Sequence, residues 1–160
     1  MNYIESVKIE GLWGRKNVML EFRPDLNFLI GENGSGKTIV INLISAVLRA
    51  DISLLFSLQF NKVIIKMKSL HKNRKPWIEV SKDNGQAKKN RRIKYSIKEM
   101  ASGEKSRYMF INQYNDRRYH DASFKYGYGR NDEVQDKLNE LVEVNWLPIQ
   151  RAEFDRGYRS

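Results

Sequence analysis

Residues 26–44 read LNFLIGENGSGKTIVINLI, and the rest of the chain is best interpreted outward from them. Gly31, Gly36, Lys37 and Thr38 satisfy the spacing G-x-x-x-x-G-K-[ST]. The apolar run Asn27–Ile30 before it has the composition of a short strand buried on both faces. After it, Val40, Leu43, Ile44, Val47 and Leu48 recur at helical spacing, which predicts an amphipathic helix over 37–49. Strand, glycine loop and helix in that order are the setting this motif requires. Gly31, Gly34 and Gly36 let the backbone turn tightly and bring its amides up to phosphate oxygens. The helix adds its positive N-terminal end. Lys37 supplies a point charge for the β- and γ-phosphates, and Thr38 a hydroxyl for Mg2+. The alternative is a glycine-rich turn that caps a helix and binds nothing.

Before the loop, residues 3–9 and 18–22 alternate enough to predict two strands, joined by a turn carrying Gly11 and Gly14. Beyond Phe60 the texture changes to three short alternating segments, NKVIIKMKS, PWIEVSK and RRIKYSIK. Asp83-Asn84-Gly85 between the last two is a hairpin signal, so an antiparallel β-subdomain is expected over about 60–99. One helix is expected near 103–114 and another over 132–142, with Asn131 as its N-cap. Val144–Ile149 is a last strand candidate.

At 160 residues the chain has room for one domain of ordinary size. Cysteine is absent, which excludes disulfides, a thiol nucleophile and thiolate metal sites, and two histidines cannot build a His-rich metal centre. No leader pattern opens the chain and no apolar stretch is long enough to span a bilayer, so a cytoplasmic protein without membrane contact is expected. The net charge of +10 calls for a polyanionic partner. Residues 61–100 hold 13 Lys/Arg against three acids, which accounts for the whole excess. Its clusters include Lys72, Arg74 and Lys75, then Lys88, Lys89, Arg91 and Arg92, with Trp77 and Tyr95 available for stacking. Contact with a DNA backbone is one reading; a solvated lysine-rich sheet that resists edge pairing is the other.

The stretch 26–44, and Asn33-Gly34-Ser35 within it, resembles the Walker A segment of ABC-type ATPases of the SMC, RecF and OLD (overcoming lysogenization defect) kind. The two strands ahead of the loop are similar to the opening strands of the same proteins. The resemblance implies an α/β fold: a P-loop NTPase with an ABC-ATPase-type N-lobe and an antiparallel β-subdomain. It divides the chain into a P-loop core (1–58), the basic β-subdomain (59–99) and a mixed segment returning to the core (100–160). It implies ATP and Mg2+ as ligands, a nucleotide site over Asn33, Gly34, Ser35, Gly36, Lys37, Thr38 and Ile39, and an ATP-dependent homodimer in the full-length protein. By the same resemblance, a glutamine after the returning strand reaches Mg2+ and the attacking water. Gln150 is the preferred candidate and Gln113 the second. Trp13 stands where related transporters stack an aromatic on adenine, and Arg15 is the other stacking candidate; the plain alternative is that Trp13 plugs the core.

Departures from the family pattern matter as much. Ile39 replaces a hydroxyl residue that would reach the α-phosphate. No four apolar residues followed by Asp-Glu occur after the loop, so a Walker B strand is missing. Met100-Ala101-Ser102-Gly103-Glu104-Lys105 only approaches the family's signature, with Ala101 in place of its serine; the plain reading is a Ser-Gly-Glu helix start. These gaps lead to the expectation of an N-terminal half of an ATPase that binds nucleotide but hydrolyses it negligibly, Asp116, Asp121 and Glu153 being the first carboxylates to test otherwise. A small P-loop kinase or nucleotidase, and a nucleic-acid-binding module with a vestigial loop, remain as alternatives.

Overall fold

The computed structural model describes residues 2–70, 74–83, 91–99, 105–112 and 131–144. Among these residues six strands form one antiparallel sheet: β1 (Asn2–Leu12), β2 (Lys16–Glu21), β3 (Lys62–Ser69), β4 (Trp77–Asp83), β5 (Arg91–Lys98) and β6 (Lys105–Asn112), in the order β2-β1-β3-β4-β5-β6. Among the described residues three helices accompany it: α1 (Lys37–Leu48), α2 (Ile52–Ser57) and α3 (Asn131–Leu141).

Alternation decides which face of the sheet is buried. Val7 and Ile9 on β1, Val63, Ile65 and Met67 on β3, Ile78 and Val80 on β4, and Ile93, Tyr95 and Ile97 on β5 are all buried in one cluster. Val40, Leu43, Ala46 and Val47 of α1, Ile52, Leu55 and Phe56 of α2, and Val134 and Leu138 of α3 belong to the same core. Their burial is the main favourable term of the fold, each large aliphatic side chain contributing about 1.5–3 kcal/mol. Polar groups also tie the layers together. The Tyr95 hydroxyl donates to the Val47 carbonyl at 3.1 Å, meeting the C-terminal end of α1 from the middle of β5. Lys82 reaches from β4 to the carbonyls of Phe56 and Leu58, with its ammonium 4.9 Å from the Phe60 ring centre. It thereby caps the C-terminus of α2, where a cation is favoured.

Three expectations are corrected. Residues 27–30 are not a strand: among the described residues nothing pairs with them, and Phe28 and Ile30 are 78% and 89% exposed. A strand buried on both faces needs neighbours on both sides, and the antiparallel sheet passes it by. The helix expected at 103–114 is replaced by β6, which extends the sheet along the open edge of β5 with Lys98 opposite Lys105 and Arg91 opposite Asn112. The Ser-Gly-Glu residues 102–104 lie outside the described residues, and Lys105 opens the strand. The sequence also gave no warning of α2. Its N-cap is Asp51, whose carboxylate accepts from the Leu54 amide at 3.0 Å. The hairpin residues 84–90 and the strand candidate beyond Val144 lie outside the described residues, although Asp83 does face Arg92 across β4 and β5.

Candidate functional site: the glycine loop at the start of α1

The loop from Gly31 to Gly36 takes its shape from two left-handed glycines, Gly34 at φ 82° and Gly36 at φ 95°. Only glycine adopts that region at no steric cost. The Ser35 amide bonds to the Glu32 carbonyl at 3.2 Å and closes the turn between them. Gly36 is the N-cap of α1, and no side chain caps it; no acid stands in the first turn. The leading amides of α1 have no partner within the helix and carry its positive end. Lys37 folds back on the same loop. Its ammonium donates to the carbonyls of Gly31 at 2.6 Å and Glu32 at 2.7 Å, and lies 3.5 Å from the Ser35 hydroxyl. The cation is therefore held inside the concavity that the loop encloses. Asn33, Gly34, Ser35 and Thr38 are exposed there, while Ile39 leans into the core.

Trp13 meets this loop from the other side. It occupies the turn between β1 and β2 at φ 54°, half-buried, and its amide donates to the Gln59 carbonyl at 3.0 Å. The benzo edge of its indole lies against the α-carbon of Gly36: a Cβ there would collide with Cη2 and stand 2.9 Å from Cζ2. The Lys16 ammonium sits 5.2 Å from the ring centre. Arg15 is exposed on the same turn. Sequence reasoning named Trp13 but missed Lys16 and Gln59, which hold it. Lys16 follows three residues later and was legible as a turn cation; Gln59 is distant in sequence and carried no signal.

A family model described as an AAA domain matches residues 6–150. The chain belongs to the AAA domain family. Over 45 residues it is 47% identical to the DNA double-strand break repair Rad50 ATPase of Methanopyrus kandleri, a stretch that covers 28% of this chain and 5% of that protein. Together they support an N-terminal ABC-type ATPase region of the SMC/Rad50 kind. The chain thus spans a small part of the length of this curated relative.

Within this AAA domain, no three His, Asp or Glu side chains come together to hold a metal among the described residues. The Thr38 side chain stands exposed at the head of α1. Gln150, Gln113, Asp116, Asp121, Glu153 and residues 100–104 lie outside the described residues. Of the basic clusters, Lys72, Lys88 and Lys89 lie outside as well, Arg74 and Lys75 are exposed just before β4, and Arg91 and Arg92 open β5. Lys82 is occupied at α2 and does not belong with them.

The structure adds basic residues that the clusters did not include. The sheet face away from the helices carries Lys66, Lys68, Lys94 and Lys98, with Lys66 and Lys98 flanking Trp77 across β3, β4 and β5. Acids temper it: Glu21 stands opposite Ser6 at its edge, Glu79 lies 3.7 Å from Lys62, and Glu10 lies 2.8 Å from Lys8, whose hydrogen bond lowers that carboxyl from its ordinary value. Among the described residues no helix is long and apolar enough to cross a membrane.

Proposed function

We propose that this AAA domain is a P-loop nucleotide-binding unit that takes Mg-ATP with its phosphates over residues 33–38. The observation that carries the reading is the Lys37 ammonium clasped by the Gly31 and Glu32 carbonyls beneath the uncapped start of α1. Phosphate oxygens would accept from the loop amides and from Lys37, which exchanges carbonyl acceptors for anionic ones. Thr38 would hold Mg2+, and bound Mg2+ neutralises charge on the phosphates. Ile39 would contribute its amide alone. In titration calorimetry, Lys37→Ala should weaken ATP binding about 10- to 100-fold, the scale of a lost charged hydrogen-bonding group. Equal affinity of parent and variant would refute the assignment.

The exposed run Leu26, Phe28 and Ile30 supports a partial domain. An exposed apolar run of this kind is a surface that another segment would cover. Hydrolysis needs an aligned water and a carboxylate to orient it; Gln150 is proposed for one water contact only. The 160-residue chain is therefore expected to turn over ATP negligibly, and the cytoplasmic, ATP-dependent homodimer is proposed for the full-length protein. A Lys37-dependent turnover at ordinary ATPase rates would overturn this.

A second element is contact with a DNA backbone, favoured by the lysines on the open sheet face and by the exposed Arg74, Lys75 and Arg92. With Lys72, Lys88, Lys89 and Arg91 they would form a sequence-independent phosphate surface. Binding should fall steeply with salt. The variant Lys66→Glu, Lys94→Glu, Lys98→Glu should weaken it at least tenfold in fluorescence anisotropy at low salt, each phosphate contact adding to the salt slope; unchanged affinity would remove the sheet face from the interface.

A further inference from the structure

We propose that Trp13 is a positioning residue for phosphate: its indole braces the glycine loop at Gly36, so that affinity for the phosphate chain depends on the turn between β1 and β2. The inference rests on the nucleotide-binding reading of residues 31–39 and specifies what holds that loop in shape.

Three facts converge on the brace. First, the contact is close and is made by the ring edge. Cη2, Cζ2 and Cζ3 all face the Gly36 α-carbon, so that residue has no room for a side chain, in addition to its left-handed φ of 95°. Secondly, Trp13 is itself in the left-handed region at φ 54°, rare for a bulky residue and retained only where the surroundings impose it. The surroundings do. The Gly14 amide bonds back to the Gly11 carbonyl at 2.9 Å, the Trp13 amide to the Gln59 carbonyl at 3.0 Å, and the Asn61 amide to the Glu10 carbonyl at 2.9 Å. The backbone of the turn is thus fixed to the start of β3 before the side chain leaves it. Thirdly, the Lys16 ammonium 5.2 Å from the ring centre restrains the indole through its π-face.

The consequence follows from where Gly36 stands. It is the N-cap of α1, one residue before Lys37 and two before Thr38. Its conformation aims both the last amides of the loop and the first amides of the helix. A loop built from left-handed glycines is otherwise free to unwind, and ordering it on binding would cost affinity; a brace applied beforehand removes that cost. The contact is by the ring edge, against the loop, so the role assigned to Trp13 is to shape the phosphate site and not to serve as a platform for the nucleobase.

The two roles separate when the base is taken away. Inorganic tripolyphosphate and ATP are each titrated calorimetrically, with Mg2+, into the full chain and its Trp13→Ala and Trp13→Phe variants, at a temperature where all are folded by circular dichroism. The brace requires Trp13→Ala to lose about tenfold for both ligands, as the preorganised loop is released, with Trp13→Phe in between. Loss for ATP alone would make Trp13 a base platform and overturn the proposal. So would no loss for either ligand with binding by the parent intact, and in that case the nucleotide-binding reading would survive. No binding of either ligand by the parent would remove both. If Trp13→Ala does not fold, the parent still decides. Its Trp13 indole N–H resonance, assigned with Trp13→Phe, should shift on saturation with tripolyphosphate; an unmoved resonance with binding confirmed by calorimetry overturns the brace.

Discussion

The run 26–30 is more apolar than the strands β3 to β5, yet the structure buries the strands and leaves the run exposed. Val63, Ile65, Met67, Ile78 and Val80 are wholly buried, whereas Leu26, Phe28 and Ile30 stand 67%, 78% and 89% exposed. Hydropathy alone would bury the run first; pairing decides otherwise. Antiparallel neighbours arrive through short connections, so β3, β4 and β5 satisfy one another's backbone groups within a span of about 40 residues and leave one face for the helices. A strand that must lie between parallel partners depends on chain that returns from far away. The lesson is that the sheet is a self-sufficient layer, while the segment leading into the glycine loop is a surface prepared for something else.

The largest test of that contrast is truncation inside the layer. Ile65→Ala should destabilise the domain by about 2–5 kcal/mol, by lost transfer free energy and the cavity left behind, measured by urea unfolding. A cost near zero would mean that the layer is not the core. Next comes the contact between the layer and α1. Tyr95→Phe removes the hydrogen bond to the Val47 carbonyl and should cost about 1 kcal/mol near neutral pH. Burial, reinforced by the charge of Asp51, pushes the Tyr95 phenol well above its ordinary value. The unfolded chain ionises at its ordinary value, near about 10, while the folded chain still holds its proton. The stability contributed by the protonated phenol is therefore complete below about pH 10 and is lost as pH rises above it toward the folded-state value. The Phe variant should show less of this alkaline loss; equal slopes for the two proteins would exclude Tyr95 as its source. The smallest effect is expected at the exposed run. Phe28→Ser with Ile30→Ser should change stability by less than about 0.5 kcal/mol, as for surface substitutions generally, while lowering the binding of a hydrophobic dye. A cost like that of Ile65→Ala would show that the run is already packed, and the contrast would fail.

How much of this the sequence disclosed follows the same division. Alternation identified β1 to β5 because one face of each is buried, and period-3.6 spacing identified α1 and α3. The continuous run Tyr108–Ile111 has no period that separates helix from strand, and the open edge of β5 is what makes it a strand. A helix as short as α2 shows less than two turns of pattern, and only Asp51 marked its start. At the site, glycine spacing disclosed the loop and Lys37, because those constraints are local. The seat of Trp13 was hidden, because its partners Gly36 and Gln59 come from other parts of the chain and meet it only after folding.

The pairing of β1 with β3 has a bearing on the order of events as the chain folds. Glu10 faces Lys62 and Asn2 faces Ser69, so this ladder closes a loop that contains β2, the glycine segment, α1 and α2. Closing a long loop is slow compared with zipping neighbouring hairpins, because chain entropy is lost before any contact rewards it. The meander β3–β4–β5–β6 is therefore expected to acquire protection first in pulse-labelling hydrogen exchange, and residues 4–9 of β1 later. During synthesis, the turn bearing Trp13 is held against its carbonyl partner Gln59 only once β3, which follows that residue, pairs with β1. The braced glycine loop is then among the last features of the domain to appear, and a stalled or truncated chain ending before residue 69 would carry the whole glycine motif without the scaffold that shapes it.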